Sequence, residues 1–340
     1  MANDVSSETA TSYSAPNWLV WVALWIVYLV WGSTYLAIRV TVETMPPLLT
    51  AGVRFLVAGG IMFALLAARR GVRSLRVGRA EVLGSTAVGT ALLLGGNGLV
   101  SVAEQYVPSA LTALIIASVP LWVIVLRFVA RDRVPRGTLI GVAVGFAGVA
   151  LLVLPGNGSE GASVAYSLLI VAAAMSWATG SFFSKRLPLP RDPFVSTTIQ
   201  MLCGGAVMSL VALVRGEAAG LDVSEFSGAS LAGFAYLIFA GSLLAFTAYV
   251  WLLQNAPISK VATYAYVNPV VAIFLGSLIL SEEVTSVILI GAALIVTSVA
   301  TIVRLESRSA PVEEPDEPQV AGAGTLTVRE PELGLVRSPE

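Results

Sequence analysis

Histidine is missing from this chain of 340 residues, and cysteine occurs once, at Cys203. A disulfide framework, a histidine-ligated metal site and a cysteine–histidine nucleophile pair are thereby excluded. Charge is scarce as well: Asp, Glu, Lys and Arg make up 12% of the residues against 56% hydrophobic ones, and the mean hydropathy is +0.83. A water-soluble domain of this size could not tolerate such a surface, which leaves a membrane protein. Gly-x-Gly-x-x-Gly phosphate loops, Gly-x-Ser-x-Gly elbows and Cys-x-x-Cys pairs are absent from the contexts in which they work. No nucleotide site and no cofactor is expected, which argues against ATP-driven pumping.

What the chain has in quantity is apolar runs of the length, about 20 residues, that crosses a bilayer. Ten are found, at roughly 18–38, 47–68, 80–103, 107–130, 136–154, 162–183, 194–214, 229–253, 258–280 and 285–303. The first is too long for a cleavable signal, and its flank holds Asp4 and Glu8 but no basic residue. Basic residues gather in alternate loops: Arg69, Arg70, Arg73, Arg76 and Arg79, then Arg127, Arg131, Arg133 and Arg136, then Lys185, Arg186 and Arg191. The intervening loops carry Glu43, Glu104, Glu160, Glu217, Asp222, Glu225, Glu282 and Glu283, with only Arg39 and Arg215. Because Lys and Arg are retained on the cytoplasmic side, both termini are expected inside a cell (inner or plasma) membrane. The arginine runs are read as topology signals, with no nucleic-acid partner.

Residues 1–17 and 305–340 are polar, the latter rich in Pro and Glu, and are expected to be disordered cytoplasmic tails. Between them the chain repeats itself, as residues 18–154 and 162–303. Trp31 matches Trp177, Arg39 Lys185, Pro47 Pro193, Gly59 Gly205 and Met62 Met208, each 146 residues apart. Pro108–Pro120 and Pro257–Pro269 share their proline spacing at an offset of 149. Each copy holds five spans, an odd number, so the second must enter the membrane from the opposite side. The expected fold is an all-α polytopic bundle of ten transmembrane helices, two inverted-topology five-helix repeats around a central cavity. A proline deep in a span removes a backbone donor and frees a carbonyl, so Pro120 and Pro269 are candidate hinges.

Several side chains qualify as cavity-lining candidates. In the third span Thr86, Thr90, Asn97, Ser101 and Glu104 fall on one polar stripe at helical spacing, and in the eighth Phe239, Ser242, Phe246 and Tyr249 form an aromatic one. Trp31 and Tyr35 in the first span, Trp177 in the sixth, and Tyr264 and Asn268 beside Pro269 complete the lining set. Arg54 is the basic residue well inside a span, where lipid exposure would cost about 2.5–3.5 kcal/mol, so it should face the bundle. It is expected either to pair with Glu104 or to share an anion-binding position with it, and Gln200 stands at its place in the second copy. Glu104 is the best-placed acid for proton coupling. Gly137, Gly141, Gly145 and Gly148 form a small-residue ridge, for packing or for a dimer face.

With WGSTYLAIR in the first span, AEQYVPSALTALI leading into the fourth and SEEVTSVILIGAALIV at the last, the chain resembles the drug/metabolite transporter superfamily, most closely its EamA-type exporters. The likeness covers residues 18–303. It implies a basket-like bundle that moves small solutes by alternating access, usually outward, as a secondary active transporter. In the first-copy counterpart of the ending, Asp132 sits among arginines where the family often has an acidic residue. The aromatic walls and scarce charge point to neutral, zwitterionic or amphipathic solutes. A membrane-embedded enzyme and a structural or signalling membrane protein are the alternatives, disfavoured by the missing histidine and the lack of an output domain. The partners expected are a small-molecule solute and the bilayer, for a monomer or homodimer.

Overall fold

The computed structural model describes residues 15–154, 163–256 and 258–309. Most of both expected tails, residues 155–162 and Pro257 lie outside the described residues. Among the described residues nine helices are long and apolar enough to cross a membrane, and a tenth is apolar but shorter. They are α1 (Asn17–Thr41), α2 (Pro47–Arg70), α3 (Arg79–Ala103), α4 (Ser109–Val129), α5 (Arg136–Val153), α6 (Val164–Ser184), α7 (Pro193–Val214) and α8 (Gly228–Leu253), then a shorter apolar helix α9 (Tyr264–Leu280) and α10 (Ser286–Leu305). The described residues contain no strand. This is what a bilayer demands of open chains, because a helix satisfies its own backbone.

Prolines sit where helices begin. Pro47 and Pro193 occupy the first turns of α2 and α7, where no backbone donor is lost and the fixed φ suits the helix. Asp192 caps α7, its Oδ1 accepting from the Phe194 and Val195 amides at 2.8 and 3.2 Å.

Four details depart from the sequence expectations. The ninth span is not one helix from 258: a single turn, Ile258–Val261, precedes α9. The last helix continues to Ser309, so residues 305–309 are helical. Pro120 does not sit deep in a continuous helix, since α4 is two pieces, Ser109–Ile116 and Val119–Val129, and Pro120 opens the second. Pro269 does lie inside α9. Most consequential, α3 and α8 are not regular α-helices, for each contains a π-helical stretch, Thr90–Gly98 and Leu237–Leu244. In the first, Gly95, Gly96 and Gly98 leave a wide turn room to form.

Packing follows the glycines. The helices α2 and α7 make the most extensive contact, with Gly52 against Ser209 and Gly205 and with Gly59 against Leu202 and Met201. In α5, Gly141, Gly145 and Gly148 face Ile302, Ser298, Leu121, Leu294 and Ile295, so this ridge is used inside the bundle. A buried apolar cluster built on Leu111, Leu114, Leu121, Leu152, Ile170 and Ile295 ties α4, α5, α6 and α10 together. A second, around Leu48, Phe55, Leu93 and Met208, joins α2, α3 and α7.

Candidate functional site

The residues gathered inside the bundle form two groups that meet at the wide turn of α8. On one side is Arg54 of α2, only 6% exposed. Its Nε donates to Ser242 Oγ at 3.0 Å, and its guanidinium carbon lies 4.7 Å from the centre of the Phe55 ring. It lines a small cleft with Thr41, Thr50, Ser101, Phe234 and Leu237. On the other side are aromatic rings. Trp31 stands 5.0 Å from Tyr249 and 5.3 Å from Tyr264, these two tyrosines are 5.7 Å apart, and Phe246 adds a contact with Tyr249 at 6.3 Å. The Trp31 indole N–H donates to the Gly241 carbonyl at 3.3 Å. Gly241 and Ser242 are neighbours in the π-helical stretch, so one wide turn touches the cation on one face and the aromatic cluster on the other. A Cβ on Gly241 would stand 3.3 Å from an Arg54 terminal nitrogen and 3.2 Å from Thr34 Cγ2, so this approach suits glycine.

The other candidates distribute unevenly. Phe239 is 60% exposed and makes no ring contact among the described residues, so it stands apart from the aromatic cluster. The extra residue per wide turn explains this, because a stripe counted at 3.6 residues loses register across a π-helical stretch. In α3, Thr90 and Asn97 of the π-helical stretch are half-buried, while Ser101 and Glu104 beyond it are buried. Gln200 turns back on its own helix, donating to Ser196 Oγ at 2.9 Å. Tyr35 packs beside Ile38, Val42, Val100 and Leu237. Asn268 is buried with no partner for its Oδ1, next to Pro269, and its backbone carbonyl approaches Gly32. Trp177 lies against Gly96, in the wide turn of α3.

The expected Arg54–Glu104 pair is not formed. Arg54 turns to Ser242 instead, and Glu104, fully buried at 0% exposure, has no hydrogen-bond partner on either carboxylate oxygen. Arg39 binds the Glu104 backbone carbonyl rather than its side chain. The charges of Glu282 and Arg39 both act on this carboxylate.

Sequence reasoning missed two carboxylates that bind across the chain. Glu282 accepts from the Ser109 amide and hydroxyl at 2.7 and 2.9 Å and from the Ala110 amide at 2.9 Å, which caps α4. Glu217 accepts from the Leu48 and Leu49 amides, both at 2.9 Å, which caps α2. Each acid belongs to the second half and each capped helix to the first. The only available signal was that α2 and α4 begin with prolines and no acidic cap of their own. At the opposite end, Asp132 is bridged by Arg127 at 3.8 Å and Arg186 at 3.6 Å, and Arg70 meets Asp192 at 2.5 Å. These are solvent-exposed pairs, worth at most about 1 kcal/mol each.

The model of the EamA-like transporter family matches the chain twice, over residues 18–154 and 165–304. The chain belongs to that family. Its members within the drug/metabolite transporter superfamily are membrane transporters, and this EamA-like chain is one, a multi-pass protein of exporter type. It is 36% identical to the uncharacterized inner membrane transporter YedA of Escherichia coli strain K12 over 282 residues, 82% of this chain and 89% of that one. It is 26% identical to a probable amino-acid metabolite efflux pump of Salmonella typhimurium over 277 residues, 79% of this chain and 90% of the relative. A crystal structure that shares 21% of its sequence has the same fold, with a TM-score of 0.58 and coverage of 87% of this chain and all of that one.

Proposed function

We propose that this EamA-like protein is a secondary active transporter of the inner membrane. It exports small metabolites, amino-acid-like solutes or drugs by alternating access. Its ten spans, α9 included, form two five-helix units of opposite orientation, with both termini cytoplasmic. At 1.5 Å per residue the 17 residues of α9 extend about 25 Å, and the turn before it supplies the remainder of a crossing.

The observation that carries this reading is reciprocal. Trp31 of the first unit seats on the wide turn of α8 in the second, and Trp177 of the second seats on the wide turn of α3 in the first. Two halves that grip each other through corresponding residues can rock about that contact, which is the motion alternating access requires. The path runs between α1, α3, α6 and α8, and the broken α4 and proline-bearing α9 flank it. The Salmonella relative's description as an amino-acid metabolite efflux pump supports small amino-acid-like solutes and outward direction.

Flux into proteoliposomes, measured for a metabolite panel with and without a pH gradient, tests the proposal. Gradient-driven or exchange flux of at least one solute is expected; none for any of them refutes it. Glu104, buried without a partner, is the proposed proton carrier. Glu104→Gln is therefore expected to abolish accumulation driven by a pH gradient while leaving solute exchange in place. Loss of both together, or of neither, removes that role. For the prolines, Pro269→Ala, which restores a donor inside α9, is expected to slow exchange several-fold, and Pro120→Ala, at the start of a helical piece, to slow it less. Unchanged rates in both would leave them as packing features.

A further inference from the structure

We propose that the cleft at Arg54 is a subsite for a carboxylate, carried by a solute whose remaining part is apolar. This rests on the transporter reading and names the class of solute. A guanidinium offers five N–H donors, and the protein engages one of them, through Ser242. Among the described residues no carboxylate lies within salt-bridge distance of Arg54, and no protein acceptor takes its terminal nitrogens. A charge this deeply buried without a counter-ion is costly to keep, and an anionic ligand relieves that cost. The planar fork of an arginine matches a carboxylate with two parallel hydrogen bonds.

The surroundings narrow the choice. One cation neutralises one negative charge, and the neighbouring polar groups of the cleft, Thr41, Thr50 and Ser101, are neutral. A dianionic phosphate would leave a charge uncompensated, and a bare ammonium would be repelled. The rest of the cleft wall is apolar, from Ile38, Val42, Ala51, Phe234 and Leu237, so the part of the solute away from its carboxylate is apolar.

Calorimetric binding to purified protein in nanodiscs tests this with phenylacetate, hexanoate and indole-3-acetate as probes and phenylacetamide and benzylamine as controls. At least one acid is expected to bind the wild type, and phenylacetate about tenfold or more tighter than its amide. Arg54→Gln is expected to erase that preference and Arg54→Lys to retain part of it. Equal binding of phenylacetate and phenylacetamide, no binding of any of the three acids, or an unchanged preference in Arg54→Gln overturns the proposal. Should Arg54→Gln fail to fold, the wild-type comparison of acid with amide decides alone. Because binding needs no flux, acid-selective binding without transport would leave this subsite standing and remove the transporter reading. Flux indifferent to the carboxylate would do the reverse.

Discussion

Glu282→Ala is expected to lower the stability of the purified protein by about 3 kcal/mol, the order expected for hydrogen bonds to a charged group at a helix start. Three donors lose their acceptor at once: two backbone amides and the Ser109 hydroxyl. Ser109 is fully buried, so water cannot easily replace the carboxylate there. The negative charge also faces the positive end of the helix dipole. Glu282→Gln retains one acceptor oxygen without the charge and should fall between the two. Glu217→Ala, with two donors lost at α2, is expected to cost less than Glu282→Ala. Chemical or thermal unfolding in one detergent, followed by tryptophan fluorescence, gives the ordering. A Glu282→Ala protein as stable as the wild type would mean that α4 begins without this cap.

The larger disruption is expected from Gly89→Leu in α3. A Cβ at Gly89 would stand 2.6 Å from the Gln200 carbonyl oxygen, and one at Gly204 would stand 2.7 Å from the Gly89 carbonyl oxygen. Both obstacles are backbone, which cannot rotate out of the way as a side chain can. Filling a packed interface costs roughly 1–3 kcal/mol even where side chains yield. Here the crossing of α3 and α7 must open, and with it the buried cluster that holds Leu93, Met201 and Met208. We expect no monodisperse protein from Gly89→Leu, and a severe loss from Gly204→Val. Gly60 provides the control: it lies in α2 with nothing within 4 Å of where a Cβ would be. Gly60→Ala should leave yield unchanged and raise stability by up to about 1 kcal/mol through helix propensity. Size-exclusion profiles of the three variants side by side decide. A well-folded Gly89→Leu would mean that the two backbones are not in contact.

Much of the architecture is legible in the sequence because the bilayer enforces it. Among the described residues nine of the ten apolar runs give helices long enough to cross a membrane and the other a shorter one, since burial in hydrocarbon leaves the backbone no alternative. The wide turns of α3 and α8 are not legible. Their glycines and leucines suit an α-helix equally well, and the extra residue per turn follows from what packs against them, Trp177 in one case and Trp31 in the other. That is why Phe239 stands apart from the aromatic cluster although 3.6-residue spacing puts it on the same stripe. The cost of a charge in lipid draws Arg54 into the bundle, but its partner is not readable from the sequence. Ser242 lies 188 residues away, and hydropathy does not distinguish it from other serines. The caps supplied by Glu217 and Glu282 escaped for the same reason, because an acidic residue in a loop looks alike whether it meets water or a helix start.

Gln200 standing where the first half has Arg54 makes the halves unequal in charge. Were each half to adopt the other's shape as access switches sides, identical halves would make the two end states equivalent by a two-fold rotation, equal in energy when empty. A buried cation in one half removes that degeneracy. The empty molecule would then have a resting side, set by which conformation shelters Arg54 better, and its return stroke would be driven by the protein before any gradient is applied.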